Sequence, residues 1–451
     1  MDVVICGAGE VGRHSAEVLA PAGHNITVID MDADKLALIE DVLDVRSLVG
    51  NCAMAETQRL AEVHKADLLI AATHNDEVNL LTCSVGKAIG CAKTIARVHH
   101  RSYYERRGLD YSKHLGIDHL VCPEYTTAQA IAAVLRSPGA IAVQNFGRGL
   151  IDMQRLVVSK DAKSVGKPLS ELSLPATALI VAVERDGKAF MPGADTVLAP
   201  GDVATVIGES KQFDKARKIF DTSAGGRQRL MLLGGTSQAV WLARELRRRD
   251  LSVRLFEADE ERAIDLAKKL EWVTVLNADV INTDVLQEER VDQADAFVSV
   301  THDDEVNILA AARAKAMGVK MAIAVLQRPT YLHLLEHIGI DYAFSPRATA
   351  VAEIQRRLDG SAVRHLATLS QGIAEVYEIR VPEGAAAVVN KPLRQIEFPS
   401  HSRVVAIQRG SDVFIPRADS TIEGGDMIVA VAPATARREL RKVFSGKMGL
   451  T

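Results

Sequence analysis

Three glycines at a fixed spacing are the first residues in this chain whose types and order point to chemistry. Gly7-Ala8-Gly9-Glu10-Val11-Gly12 follows the apolar run Val3-Val4-Ile5-Cys6 and opens a helical pattern, and Asp30 closes the next apolar run 18 residues after Gly12. In this order of strand, loop, helix, strand and acid, the spacing is a dinucleotide signature. Gly7 permits the tight turn. Gly9 lets backbone approach a pyrophosphate at the helix N-terminus, where N–H groups lack partners, and Gly12 lets helix and strand pack closely. Asp30 can accept hydrogen bonds from an adenosine ribose diol and would repel a 2′-phosphate, which favours NAD(H) or an adenine nucleotide over NADP(H).

Ligands of an open parallel sheet lie outside the carboxyl ends of its strands, so other strand ends join the candidate site. Gly50-Asn51-Cys52 ends one strand and is placed to meet adenosine. Ala71-Ala72-Thr73-His74-Asn75 ends another, near ribose or phosphate, and Arg97 ends a third, where it either binds a phosphate bidentately or makes a buried salt bridge. The candidate cofactor-binding set is Gly7, Ala8, Gly9, Glu10, Val11, Asp30, Met31, Asn51, Cys52, Ala72, Thr73 and Arg97, with Glu257 and Asp279 in a second copy of the motif. His74 and His302 sit at repeated helix starts, where first-turn capping and pairing with the helix dipole is the expected role.

The elements that must position these residues alternate strand and helix. Apolar runs at Asn25 to Ile29, Arg46 to Val49, Asp67 to Ala72, Lys93 to Val98 and Leu120-Val121 alternate with helical patterns at Val11 to Leu19, Asp34 to Ile39, Val78 to Ala88, Tyr103 to Leu115 and Ala128 to Arg136. That alternation predicts an α/β fold with a doubly wound parallel sheet covered on both faces. From Ala140 to Phe220 the pattern changes to alternating strands, Gly and Pro turns and a closing helix from Lys211, a small α+β domain.

The whole arrangement occurs twice. T-H-N-D-E-V-N-L-L at 73–81 and T-H-D-D-E-V-N-I-L at 301–309 share seven of nine residues at an offset of 228. Gly166-Lys167-Pro168-Leu169 matches Asn390-Lys391-Pro392-Leu393, and Gly201-Asp202 matches Gly425-Asp426. The organisation is A-B-A′-B′: Rossmann-like domains at 1–139 and 228–358, each followed by a small α+β domain, at 140–222 and 363–448, with Ser223 to Gln228 as the linker between units. The second copy departs from the first at its glycine loop, Gly234-Gly235-Thr236-Ser237-Gln238-Ala239, and has Val325 at the position of Arg97. A side chain at Thr236 obstructs a pyrophosphate, so this site is expected to take a different or weaker nucleotide, or none.

Composition excludes several classes. With 54 Lys and Arg against 58 Asp and Glu, the net charge of -4 argues against nucleic acid or anionic lipid as a general partner. No apolar stretch approaches the roughly 18 residues of a membrane span. The start carries no secretory pattern, so a cytoplasmic location is expected. The five cysteines, Cys6, Cys52, Cys83, Cys91 and Cys122, lack metal or redox spacing and read as reduced core residues. No His-Asp pair, nucleophile elbow or metal cluster accompanies the small domains, and His365 and His401 have no counterparts in the first copy. Neither a catalytic residue nor a metal site is expected. An NAD-dependent oxidoreductase is the alternative.

These residues resemble those of the RCK/KTN regulatory-domain family across essentially the whole chain. The resemblance rests on the glycine loop just after Met1, Asp30 with Asp32, the Thr73–Asn79 block, Ala96-Arg97-Val98, and the features around Pro192-Gly193-Ala194-Asp195 and Gly201-Asp202. Asn51 stands where that family commonly has Asp. The resemblance implies a non-enzymatic homotetrameric ring, peripheral on the inner face of the cell membrane beneath a TrkH/TrkG-like potassium transporter subunit. Bound NAD(H), or ATP or ADP at the same site, would bias its shape. The small domains would be of the RCK C-terminal type.

Overall fold

The computed structural model describes residues 1–104, 108–135, 140–146, 151–209, 212–220, 228–247, 251–279, 283–328, 331, 338–358, 363–369, 373–385, 387–400, 402–410 and 412–444. Ser223 to Arg227, Lys211 and His401 lie outside them.

The first sheet is six-stranded and parallel, in the order β3-β2-β1-β4-β5-β6, with β1 at Asp2–Cys6, β2 at Asn25–Asp30, β3 at Arg46–Val49, β4 at Leu68–Ala71, β5 at Thr94–Arg97 and β6 at His119–Val121. The order reverses between β1 and β4, which opens a crevice at their carboxyl ends. β4 is buried along its whole length, as its unbroken Leu-Leu-Ile-Ala run requires of a central parallel strand. Helices α1 (Glu10–Leu19), α2 (Ala33–Glu40), α3 (Ala55–Leu60), α4 (Asp76–Ala88), α5 (Arg101–Tyr104), α6 (Tyr111–His114) and α7 (Pro123–Leu135) complete the domain. A second sheet, at Gln228–Leu233, Leu251–Glu257, Thr274–Asn277, Ala296–Ser299, Met321–Val325 and Tyr342–Phe344, repeats the order strand for strand.

Four helices differ from the sequence pattern. The segment Tyr103 to Leu115 is not one helix: α5 and α6 are separate, and Asp110 restarts the second by accepting the Lys113 N–H. α7 begins at Pro123, five residues before the expected start, because proline fits the first helical turn without a donor to satisfy. α3 was not foreseen, since its only buried residue is Gln58 and so it shows no apolar stripe.

The chain splits into two compact units, one joining Met1–Ala132 with Arg227–Leu358 and the other Ala133–Gly226 with Asp359–Thr451. A therefore folds with A′, and B with B′. In the first unit Ala350 and Ile354, on helix Pro346–Leu358, enter the core around α1. Tyr125 of α7 packs on Trp241 of helix Ser237–Glu245 at 4.6 Å between ring centroids. Each Rossmann-type domain thus lends its last helix to its twin.

In the second unit two five-stranded antiparallel sheets share one topology. With β7 to β11 at Ala140–Phe146, Ile151–Val157, Ala178–Arg185, Lys188–Phe190 and Val203–Glu209, the first runs β10-β9-β11-β8-β7. The second has the matching order over Val363–Thr368, Glu375–Arg380, Arg403–Arg409, Asp412–Phe414 and Met427–Ala432. Ile151, Val181 and Ile207 of one sheet pack with Val376, Val405 and Val429 of the other. Helices Phe213–Phe220 and Arg437–Phe444 bury Phe220 and Phe444 in their own sheet's core. The repeated Gly-Asp pair has a structural role here. Asp202 holds Arg185 through two hydrogen bonds of 2.8 and 2.6 Å, and Asp426 holds Arg409 through two of 2.9 Å.

Candidate functional site

The glycine loop joins β1 to α1 at the switch point. Gly7 has φ +106°, and a Cβ there would stand 3.0 Å from the carbonyl of Ala72. At Gly12 a Cβ would fall 1.8 Å from the Gly7 carbonyl oxygen, so helix and loop can meet only at a glycine. Gly9 is different: a Cβ there would meet nothing within 4 Å. It is the N-cap of α1 and supplies no side-chain cap, which leaves N–H groups of the first turn for another acceptor. Glu10, exposed in that turn, forms an ion pair with Arg347 of helix Pro346–Leu358.

Asp30 serves the loop directly. Its carboxylate accepts the Ala8 N–H at 2.5 Å and the Asp32 N–H at 2.9 Å. Met31 beside it is exposed, and the Asn51 carboxamide turns its own loop by accepting the Ala53 N–H at 3.0 Å. Val11, Cys52 and Ala72 are buried, with the side chains of Val11 and Cys52 in the core on opposite faces of the sheet; what these two present to a ligand is backbone. The Cys6 thiol beside Cys52 draws its pKa down to about 7, against the opposing effect of burial.

The repeated block after β4 is a scaffold built on two residues that the glycine motif does not reveal. Asn79, buried in α4, accepts the Thr73 N–H at 2.8 Å and the Thr73 hydroxyl at 2.7 Å, and its amide donates to the carbonyls of Thr73 and Arg97. It ties together the ends of β4 and β5. Asp76 does the same one loop further on, accepting the N–H groups of His99 and His100 and meeting His99 Nδ1 at 2.8 Å. Burial works to raise the pKa of Asp76, yet these hydrogen bonds hold it below the usual carboxylate range. The helix caps are Asn75 and Asp303, which accept the N–H groups of Val78 and Val306, while His74 and His302 are exposed. The capping role read for the histidines therefore belongs to the residue after each. Identity of Asn79 with Asn307, buried polar positions within the repeat, was the available signal.

Arg97 pairs with Glu124 at 3.2 Å, a salt bridge whose two side chains are partly rather than fully buried, while its Nε is buried with no hydrogen-bond partner.

The second copy rebuilds the loop with different residues. Glu257 replaces Asp30 and accepts the N–H groups of Gly235 and Asp259 at 2.8 and 3.0 Å. The Thr236 hydroxyl turns inward, donating to the Val300 carbonyl and capping its helix at the Ala239 N–H. A cavity of about 1050 Å³ opens here, lined among others by Gly234, Glu257, Asp279 and His302, with Glu10 from the first domain and Arg347. That volume suits a dinucleotide. Its charge does not: six carboxylates (Glu10, Glu257, Asp279, Asp303, Asp304, Glu305) face two guanidiniums, Arg328 and Arg347. No group of carboxylates, histidines or cysteines among the described residues is arranged to hold a metal ion.

A glycine loop held from below by the acid of the neighbouring strand, made twice in one chain, defines a tandem Rossmann-type protein. Sequence comparison makes the assignment specific. A TrkA-N domain matches residues 3–123 and 230–346, and a TrkA-C domain residues 153–221 and 376–445. The chain belongs to the TrkA family. It is 34% identical to the Trk system potassium uptake protein TrkA homolog 1 of Methanosarcina mazei, over 98% of this chain and 100% of that one. It is 31% identical to the Trk system potassium uptake protein TrkA of Haemophilus influenzae, over 95% of each. Among solved structures, the GsuK RCK domain superposes with a TM-score of 0.61 at 16% identity, covering 99% of this chain and 95% of that one. The GsuK channel bound to NAD gives 0.62 at 17% identity, covering 99% and 79%. These two likenesses carry the fold.

Proposed function

We propose that this chain is the nucleotide-responsive regulatory subunit of a membrane potassium uptake system, acting on a TrkH/TrkG-like transporter subunit from the cytoplasmic side as a homotetrameric ring, with no catalysis of its own. The observation that carries the nucleotide part is the open space at Gly9 above an uncapped α1, beside the Asp30 carboxylate. Arg97, whose Nε is unpartnered, is the cation for a phosphate. NAD(H), or ATP or ADP, is the ligand class that fits an anionic group at the helix terminus and a diol at the acid. Membership of a family whose relatives are named potassium uptake proteins supports the transport part. No helix among the described residues is long and apolar enough to cross a membrane, and on this reading the transporting path is formed by another chain.

Regulation requires that the ligand prefer one conformation; a nucleotide binding two conformations equally shifts nothing. Calorimetric titration of NAD, NADH, ATP and ADP into the wild-type chain, Asp30→Ala and Arg97→Ala tests the site. Unchanged affinity of every nucleotide for Asp30→Ala refutes it, and potassium flux indifferent to the chain refutes the regulatory role.

A further inference from the structure

We infer that the β3 edge of the first Rossmann-type domain is the surface that docks the membrane partner, and that it takes a basic cytoplasmic segment with apolar side chains; this rests on the regulatory reading above. Four large apolar residues lie exposed on this edge: Leu38 on α2 at 57%, Val42 just beyond it at 67%, Val49 on β3 at 58% and Leu60 on α3 at 59%. They border the same edge strand from its two sides: Leu36 and Ile39 of α2 bury in the core on one face of the sheet and Ala61, just after α3, in the core on the other, while Arg46 of β3 bonds the Leu60 carbonyl at 3.0 Å.

The duplication supplies an internal control. The caps and buried residues of the second domain align Leu38 with Asp265, Val42 with Lys269, Val49 with Asn277 and Leu60 with Glu288. Asp265 and Lys269 form an exposed ion pair of 2.6 Å where the first domain shows Leu38 and Val42 to solvent. At these four positions the second domain is polar, although Ile264, on the helix that carries Asp265 and Lys269, stays exposed at 50%. A contact made once per chain, through the first domain alone, is what the difference describes.

Charge selects the occupant. Glu40, Asp41 and Asp44 are exposed around the apolar residues and form no ion pair among the described residues. Of the cations beside them, Lys35 pairs with Asp32 at 3.3 Å and Arg46 with Glu62 at 3.7 Å, while Arg59, next to Leu60, is exposed and forms no ion pair among the described residues. Two copies of this edge would set carboxylates against carboxylates, which disfavours a second copy of the chain. The cytoplasmic loops of membrane proteins carry an excess of Lys and Arg, the complement this rim selects.

The experiment uses the full chain and its membrane partner in detergent, with co-purification, size-exclusion mass and nucleotide calorimetry read in parallel. L38D/V42K and L60E install the second domain's own residues. We expect retention of the partner to fall at least about tenfold, with oligomer mass, melting temperature and nucleotide affinity unchanged. E40K/D41K is expected to weaken retention and flatten its dependence on salt. Retention unchanged in all three variants overturns the inference. Loss of oligomer mass together with retention overturns it in favour of a contact between copies. If the wild-type chain retains no transporter while binding nucleotide, the regulatory reading itself falls and this edge loses its occupant.

Discussion

Glu257 Oε2 accepts the Gly235 N–H at 2.8 Å, and a Cβ at position 235 would stand 2.5 Å from that same oxygen. In the first domain the shorter Asp30 reaches the same backbone position, and there Ala8 carries its methyl. Acid length and loop residue are therefore one choice made twice, Asp with Ala and Glu with Gly. Gly235→Ala is expected to destabilise the second domain by about 1–3 kcal/mol through overpacking. Adding Glu257→Asp recovers part of this, and part only, because Leu266 Cδ1 would still lie 2.3 Å from the new methyl. A double-mutant cycle by denaturant unfolding measures the coupling; strictly additive effects would show the two positions to be independent.

Gly9 and Gly12 separate binding from folding. Gly9→Ala meets open space and should leave the melting temperature unchanged while lowering nucleotide affinity at least about tenfold, the new methyl standing where phosphate approaches. Gly12→Ala meets the Gly7 carbonyl and should destabilise the first domain by about 3 kcal/mol or more. Thermal melts and calorimetry on both variants check this, and equal melting temperatures contradict it.

Asn79 satisfies four backbone and side-chain groups at the ends of β4 and β5. Asn79→Asp keeps the shape but cannot donate to the Thr73 and Arg97 carbonyls, and should lower stability by about 1–3 kcal/mol. Hydrogen exchange should report faster opening of the N–H of Thr73, with the second domain unaffected. Asn307→Asp should reverse that assignment.

Acid sensitivity has a named source in the second unit. Arg185 beside Asp202, with the Ala199 N–H, holds this carboxyl below its ordinary value despite burial. A folded-state pKa below the unfolded one contributes stability that is complete above about pH 4 and lost as pH falls through the folded value. Melting temperatures from about pH 5 to about pH 2 should decline more shallowly in Asp202→Asn, which starts about 1–2 kcal/mol less stable. Parallel slopes would exclude Asp202 as the source.

The first domain was legible because its signals are local. The positions of the strands follow from short apolar runs, and the glycines act through backbone geometry at fixed spacing. Asp30 was found for the ribose diol, while its hold on the Ala8 N–H depends on two loops meeting in space. Asn79 was hidden for the same reason: a polar residue in a helix reads as solvent-facing unless its partners, 6 and 18 residues away, are known. The pairing of A with A′ was also out of reach. Helix Pro346–Leu358 carries no mark saying that Ala350 and Ile354 pack on α1, more than 300 residues earlier.

That pairing gives the duplication a physical meaning. Two separate single-repeat chains would form the same A–A′ and B–B′ contacts only as a dimer, dissociating on dilution. Joined in one chain, the contacts of Tyr125 with Trp241 and of Val181 with Val405 form at an effective concentration fixed by the connecting segments. The molecule is a covalent dimer, and fusion freed each half to change alone. The Glu257 and Gly235 pair, and the polar edge at Asp265 and Lys269, record that freedom.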